Sequence, residues 1–255
     1  MESITLQYCS DLHLEFPENK KFVEENPIQK HGDILILGGD IVPFSQMDGH
    51  KDFFDRIGDQ FQHVYWIPGN HEYYYSDIQE RSRTFSESIR TNITLLNNSV
   101  ISLSTVNLVF STLWTRISTE KIPIIENRLS DFFVISSGSL KLSAFEYNQM
   151  HDSSLMFIKN SIAHLSGQKN IVITHHVPTF VNYPPKFVNS PINQAFAVDL
   201  NEMICTYEPD HWIFGHSHVN IHPFSLCKTQ MHTNQLGYIR YNEHVNYRQK
   251  AVIEV

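Results

Sequence analysis

The sequence predicts an α/β layer fold, and three observations carry that expectation. Short apolar runs at residues 4–9 (ITLQYC), 33–37 (DILIL) and 63–67 (HVYWI) alternate with polar segments of helical character. Turns rich in Asp, Asn, Gly and His follow directly on such runs, where open α/β sheets bind ligands. Of the 255 residues, 41% are hydrophobic, enough for one sizeable core.

Taken in order, Ile4 to Cys9, Asp33 to Leu37 and His63 to Ile67 read as strands. Between the second and third, Lys51 to Phe61 places Phe53, Phe54, Ile57 and Phe61 at helical spacing. Asp77 to Arg90 is expected as a polar helix. From Ile93 to Leu113, β-rich runs separated by Asn and Ser suggest hairpins, and helix returns from Ser143 to Leu165. Ile171 to Thr174 is a strand, and Pro178 to Pro191 a long Pro-rich loop of the kind that often carries function. A helix over Asn193 to Cys205, a strand at His211 to Phe214, and β-like runs near Ile221, Tyr238 and Ala251 to Val255 complete the chain. With no repeat and no linker visible, residues 1–255 are expected to form one domain.

Composition narrows the function. The net charge of −8 makes a poor partner for a nucleic-acid backbone, so a nucleic-acid polymer is not expected as substrate. No apolar run reaches the roughly 20 residues of a membrane helix. The opening MESITLQYCS lacks the pattern of a secretory leader, so a cytoplasmic location is expected. Cys9, Cys205 and Cys227 are odd in number and lack CxxC spacing, which predicts buried small hydrophobes in a reducing compartment rather than a disulfide or a zinc–thiolate site. Histidine, at 15 residues, is the unusual component, and it is the commonest metal ligand.

Five motifs sit immediately after predicted strands: Asp11-Leu12-His13, Gly39-Asp40, Gly69-Asn70-His71-Glu72, Thr174-His175-His176 and Gly215-His216-Ser217-His218. Singly they differ in weight. Asp-x-His and Gly-Asp also occur as plain turns, whereas Gly-Asn-His-Glu after VYWIP is specific. Together they supply Asp and Asn oxygens with His nitrogens, a mixed set suited to Mn, Fe or Zn rather than Ca. A carboxylate can bridge two ions about 3.5–4 Å apart, and Asp40 is the natural bridge.

This series resembles the calcineurin-like metallophosphoesterase superfamily along nearly the whole chain. STLWT (111–115), THHVP (174–178) and NQLGY (234–238) are similar to small, single-domain members of bacterial type. The resemblance implies a four-layer αββα sandwich, with two mixed sheets flanked by helices. It implies one metal ion on Asp11, His13, Asp40 and His218, and a second on Asp40, Asn70, His175 and His216. Of the adjacent pair after IVIT, His175 matches the ligand position, leaving His176 behind it or facing the substrate. The implied activity is hydrolysis of a small phosphomonoester or phosphodiester by a metal-bridging hydroxide, with His71 as general acid.

Tyr73, Tyr74, Trp114, Arg116, Tyr183 and Lys186 are the further candidates for reading the substrate; Arg116 stands where related sequences usually carry an acid, and Arg suits phosphate. Asp40 is followed by IVPFSQ, not by the Asp-Arg-Gly ending of Ser/Thr protein phosphatases, so that branch is disfavoured. A different class of function, a silent scaffold of this fold that binds a protein partner, would leave the intact ligand set without a use.

Overall fold

The computed structural model describes residues 4–255. In chain order it forms β1 (Thr5–Cys9), α1 (Pro17–Glu25), β2 (Ile34–Leu37), α2 (Lys51–Gln60), β3 (His63–Trp66), β4 (Phe85–Arg90) and β5 (Ile93–Asn97). There follow β6 (Ser99–Ser102), β7 (Val106–Ser111), α3 (Ile122–Glu126), α4 (Asp131–Val134), β8 (Ser136–Ser137), β9 (Leu140–Lys141) and α5 (Ala144–His164). The last third holds β10 (Lys169–Thr174), α6 (Asn201–Tyr207), β11 (His211–Ile213), β12 (Phe224–Leu226), β13 (Thr229–His232) and β14 (Val252–Glu254).

Two six-stranded sheets result, ordered β14-β1-β2-β3-β5-β4 and β12-β13-β11-β10-β7-β6. Each has parallel central strands with an antiparallel strand at either edge. The central strands are apolar on both faces because both faces are covered. Ile34 and Ile36 of β2 turn inward to meet Leu108, Phe110, Ile171 and Ile173 of the second sheet. Leu35 and Leu37 turn outward onto Val23 of α1 and Phe53, Phe54 and Ile57 of α2. On the far side, Val109, Val172 and Trp212 pack against Ile158 and Ile162 of α5 and Ile204 of α6. The architecture is the four-layer αββα sandwich.

Several expectations are corrected. Residues 77–90 form a short 3-10 turn at Ile78–Glu80 and then β4, not a helix. Phe85 and Ile89 recur at the strand period and pack on the first sheet's outer core, and β5 supplies their hydrogen-bonding edge. The predicted hairpins over 93–113 are split: β6 and β7 pair, but β5 runs parallel to β3 in the other sheet. Asn98, at φ 47, makes the turn between sheets.

The helix expected over 193–205 begins only at Asn201, because residues 196–198 bond instead to Val177 in the loop after β10. Tyr238 lies in a turn rather than a strand, since the N–H groups of Leu236 and Gly237 bond to the carbonyls of Ser10 and Asp11. Strand structure near Ile221 starts at Phe224.

Cys205 and Cys227 form a disulfide, contrary to the expectation from their spacing. The last turn of α6 and the β12–β13 turn bring the pair to a Cα–Cα distance of 5.4 Å, which a sequence separation of 22 conceals. The buried Cys9 alone behaves as expected. Among the described residues no helix is long and apolar enough to cross a membrane.

The seam between sheets is tested by Leu108→Ala, which truncates a fully buried side chain of β7. Urea unfolding should show a loss of roughly 2–5 kcal/mol. A change below about 0.5 kcal/mol, the size usual for surface positions, would contradict this packing.

Candidate metal centre

The five motif turns leave the carboxyl ends of β1, β2, β3, β10 and β11 and meet at one rim, across both sheets. Their backbones are unusual. Asp11 (φ 56), His13 (φ 48), Asp40 (φ 54), His216 (φ 68) and His218 (φ 51) all occupy the left-handed region. Asp and His tolerate that region better than bulky residues, and such conformations concentrate at functional sites. They turn each side chain sharply back over the strand end toward the common centre.

Two foci result. Asp11, His13, Asp40 and His218 bring one donor atom each to within 4.8 Å of one another, and so do Asp40, His175 and His216. Asp40 belongs to both. Its Oδ2 lies 3.7 Å from His13 Nε2 and 3.4 Å from His175 Nε2, between the two clusters. Its Oδ1 accepts the backbone N–H of His71 at 2.9 Å, which fixes the carboxylate plane.

The imidazoles are aimed by what holds their other nitrogens. His175 Nδ1 donates to Gly38 O at 3.0 Å, His218 Nδ1 to Glu243 at 2.7 Å, and His13 Nδ1 to Glu15 at 3.1 Å. Each leaves Nε2 facing the focus, the arrangement by which protein ligands are usually oriented. Asn70 is handled likewise: its Nδ2 donates to Asp131 at 2.9 Å, so its Oδ1 is the free end. Glu72, fully buried, accepts from Asp40 N (2.8 Å), Ile41 N (2.7 Å), Gly69 N (2.6 Å) and Trp66 Nε1 (3.0 Å), clamping two motif turns together. Burial and the Asp40 charge push its carboxyl up to about 8, against the pull of those donors.

Electrostatics sort the histidines. Burial, then the charges of His176 and His175, hold His216 well below its ordinary value, and burial with the His71 charge lowers His13. Both are neutral bases with lone pairs to donate. Burial also disfavours the charged form of His175 and His218, but Asp40 raises the first to about 9, while Asp11 and Glu243 raise the second to about 10. Burial would raise Asp40, yet the surrounding imidazoles, His175 first, keep it well below the usual carboxylate range.

A cation pair fits this set. Donor nitrogens confront each other, His13 Nε2 to His218 Nε2 at 2.9 Å and His175 Nε2 to His216 Nδ1 at 3.0 Å. Asn70 Oδ1 and His216 Nε2 are buried without a hydrogen-bond partner. Orphaned buried acceptors are costly unless something with positive charge meets them.

Of the residues expected to read the substrate, the structure brings Tyr74 to the cavity, its ring 4.1 Å from that of His71 and its hydroxyl on Asp131. Lys186 lies over Phe187, which lines the same cavity, and the remaining candidates are corrected. Trp114 is buried in the core against Tyr147, and Arg116 points away to pair with Asp152 on the surface. Tyr183 is buried with its hydroxyl on Asn193. Tyr73 is likewise buried, donating to the Arg81 carbonyl. His176 is fully buried behind His175 and His216, and burial with the His175 charge pushes it down to about 3, so it supports the site from behind rather than facing solvent. Sequence reasoning missed Glu15, Asp131 and Glu243, and the cavity-lining Phe16, Phe196 and Arg240. Glu15 alone carried a signal, two residues beyond Asp-x-His.

Comparison with known proteins shows the family and the fold. A family profile described as calcineurin-like phosphoesterase matches residues 6–220. An uncharacterised protein of Acanthamoeba polyphaga mimivirus is 31% identical over 276 residues, covering 98% of this chain and 96% of that protein. An uncharacterised metallophosphoesterase of Helicobacter pylori is 31% identical over 104 residues, 39% of this chain and 27% of that protein. Among solved structures, phosphopantetheinyl hydrolase from Mycobacterium tuberculosis superposes with a TM-score of 0.69 at 16% identity, over 98% of this chain and 95% of its own, a likeness of fold.

Two outcomes are expected of the site. Gly69→Ala would set a Cβ against the Asp40 carboxylate and 2.7 Å from the His175 ring, so it should weaken Mn²⁺ binding at least tenfold by calorimetry; unchanged affinity would remove Asp40 from the centre. Because His175 and His218 hold protons up to about 9 and 10, metal uptake at pH 7 should release protons. Affinity should therefore rise from pH 6.5 to 8.5. Titration in buffers of different ionisation enthalpy checks this, and uptake without proton release contradicts it.

Proposed function

The chain belongs to the calcineurin-like phosphoesterase family, and from that premise we propose that it hydrolyses small phosphate monoesters or diesters at a centre of two metal ions. The observation that carries the reading is the Asp40 carboxylate, shared between two clusters of buried donors with His71 on its other oxygen. Asp11, His13, Asp40 and His218 would hold one ion, and Asp40, Asn70, His175 and His216 the other. When bound, the two ions supply a nucleophilic water at neutral pH and the positive charge that phosphoryl transfer needs.

The protein's own residues do the rest. Asn70 ligates without adding negative charge that would repel a phosphate, and Asp131 keeps its oxygen forward. His71 is the residue to protonate the leaving oxygen. Its Nδ1 donates to Glu15 at 2.9 Å, and its Nε2, 3.4 Å from the Tyr238 hydroxyl, faces the cavity. Burial opposes its charge, yet Asp40, Glu15 and Asp131 raise its pKa overall, so it keeps a proton to give near neutrality. The Glu15 carboxylate serves His13 and His71 together and so fixes the relation between ligand and acid.

The M. tuberculosis neighbour acts, by its description, on a phosphopantetheinyl group, which places such esters in the substrate panel with nitrophenyl monoesters and diesters. His71→Ala should retain metal by elemental analysis but lose turnover by roughly 10²–10⁴-fold. Full turnover in that variant would exclude the assigned acid. Glu15→Gln should move the alkaline limb of the kcat profile to lower pH, since it withdraws the charge that favours the His71 imidazolium. An unmoved limb would separate Glu15 from the acid.

A further inference from the structure

Beside the metal centre lies a cavity of about 390 Å³ whose floor includes Asp40, Asn70, His71 and His218. That volume exceeds what a phosphoryl group needs and suits a small organic group as well. Its walls are aromatic. Phe16 and Tyr238 stand edge to face at 5.2 Å on one side, and Phe187 and Phe196 come from the long loop after β10. Tyr74 lies over His71.

Two cations lie beside the cavity, each over a ring: Arg240 lines it, and Lys186 covers the lining Phe187. The Arg240 guanidinium, exposed, sits 4.6 Å from the Tyr241 ring centre, 5.6 Å from Phe16 and 5.8 Å from Tyr238. The Lys186 ammonium, also exposed, sits 4.6 Å from the Phe187 ring centre. Neither is paired with a carboxylate among the described residues, whereas several other surface cations are. Glu243 lines the cavity and is near enough to feel the Lys186 charge, but it bonds instead to His218 Nδ1 (2.7 Å) and Tyr238 N (2.8 Å). In a chain of net charge −8, free cations on aromatic faces beside a phosphate site are a selective feature.

Resting on the phosphoesterase reading above, we infer that this cavity accepts a leaving group with an aromatic body and a second anionic group, the body between the rings and the anion on Arg240 and Lys186. The phosphoryl group to be cleaved occupies the floor, and the body spans from His71 toward Arg240. There the planar guanidinium presents paired donors to a second phosphate, sulfonate or carboxylate. A phosphate ester with an uncharged leaving group fills the rings but leaves the cations unmatched.

The test uses the Mn²⁺-loaded protein with two esters, 1-naphthyl phosphate and its 4-sulfonated counterpart. Each is measured on the parent, Arg240→Ala and Lys186→Ala. The ratio of the two kcat/KM values on one sample is independent of how much of it is folded. That ratio should fall by about fivefold in each variant, the size of an exposed charge contact. A ratio within twofold of the parent in both variants overturns the proposal and leaves the phosphoesterase reading standing.

Binding of the leaving group alone, 1-naphthol-4-sulfonate against 1-naphthol, supplies a readout without catalysis. Tighter binding of the sulfonate, lost in both variants, supports the leaving-group site even if no ester is cleaved, in which case only the phosphoesterase reading fails. Equal binding of the two naphthols to the parent overturns the proposal.

Discussion

The rest of the site depends on the burial of Asp11 and Asp40 among imidazoles, with no lysine or arginine among the described residues bonded to either. Taking carboxylates out of water is expensive unless positive charge comes close. In this chain that charge is available from protons on His175 and His218, or from cations in their place. The same contacts that stabilise the imidazoliums are therefore the contacts a metal must displace. Acidity, metal affinity and stability of this region are facets of one equilibrium.

Such crowding has to be held mechanically. The structure does it with a set of carboxylates and carbonyls outside the ligand atoms: Glu15, Gly38 O, Glu72, Asp131 and Glu243. The left-handed backbone at Asp11, His13, Asp40, His216 and His218 stores strain that these contacts over-determine. Glu72 illustrates the economy of the arrangement. One buried side chain ties the β2 and β3 turns to Trp66, whose ring stacks on Phe54 of α2. Helix, sheet and site are thereby linked through a single carboxylate.

This division explains what was legible in the sequence. The convergence of the Asp, Asn and His side chains was, because each member follows directly on an apolar run and carries its chemistry in two to four letters. The parallel core was too, through two-faced apolar runs such as ILIL. Asp131 and Glu243 were not, because they meet Asn70 and His218 from segments 61 and 25 residues away and lie in no motif. Trp114 and Tyr183 misled because an aromatic beside a motif looks the same in sequence whether it faces a cavity or a core. Strand β4 hid behind a polar composition that a paired edge supports as readily as a helix surface. The Cys205–Cys227 bridge depends on where a hairpin turn folds back, which spacing does not encode.

The placement of the site across both sheets has an energetic consequence. Asp11, His13, Asp40 and Asn70 hang from the first sheet, and His175, His216 and His218 from the second. A bound cation therefore joins layers that are otherwise held by apolar packing, the Ser10–Gln235 bridge and loop hydrogen bonds. Anything that binds the folded chain and not the unfolded one stabilises it by RT ln(1 + [L]/Kd), about 4 kcal/mol at a thousandfold excess over Kd. That is comparable to the cost of truncating a buried leucine in the seam. On the proposed reading, the cross-sheet side chains would serve two ends: they would form the chemistry, and they would make the relative position of the two sheets depend on it.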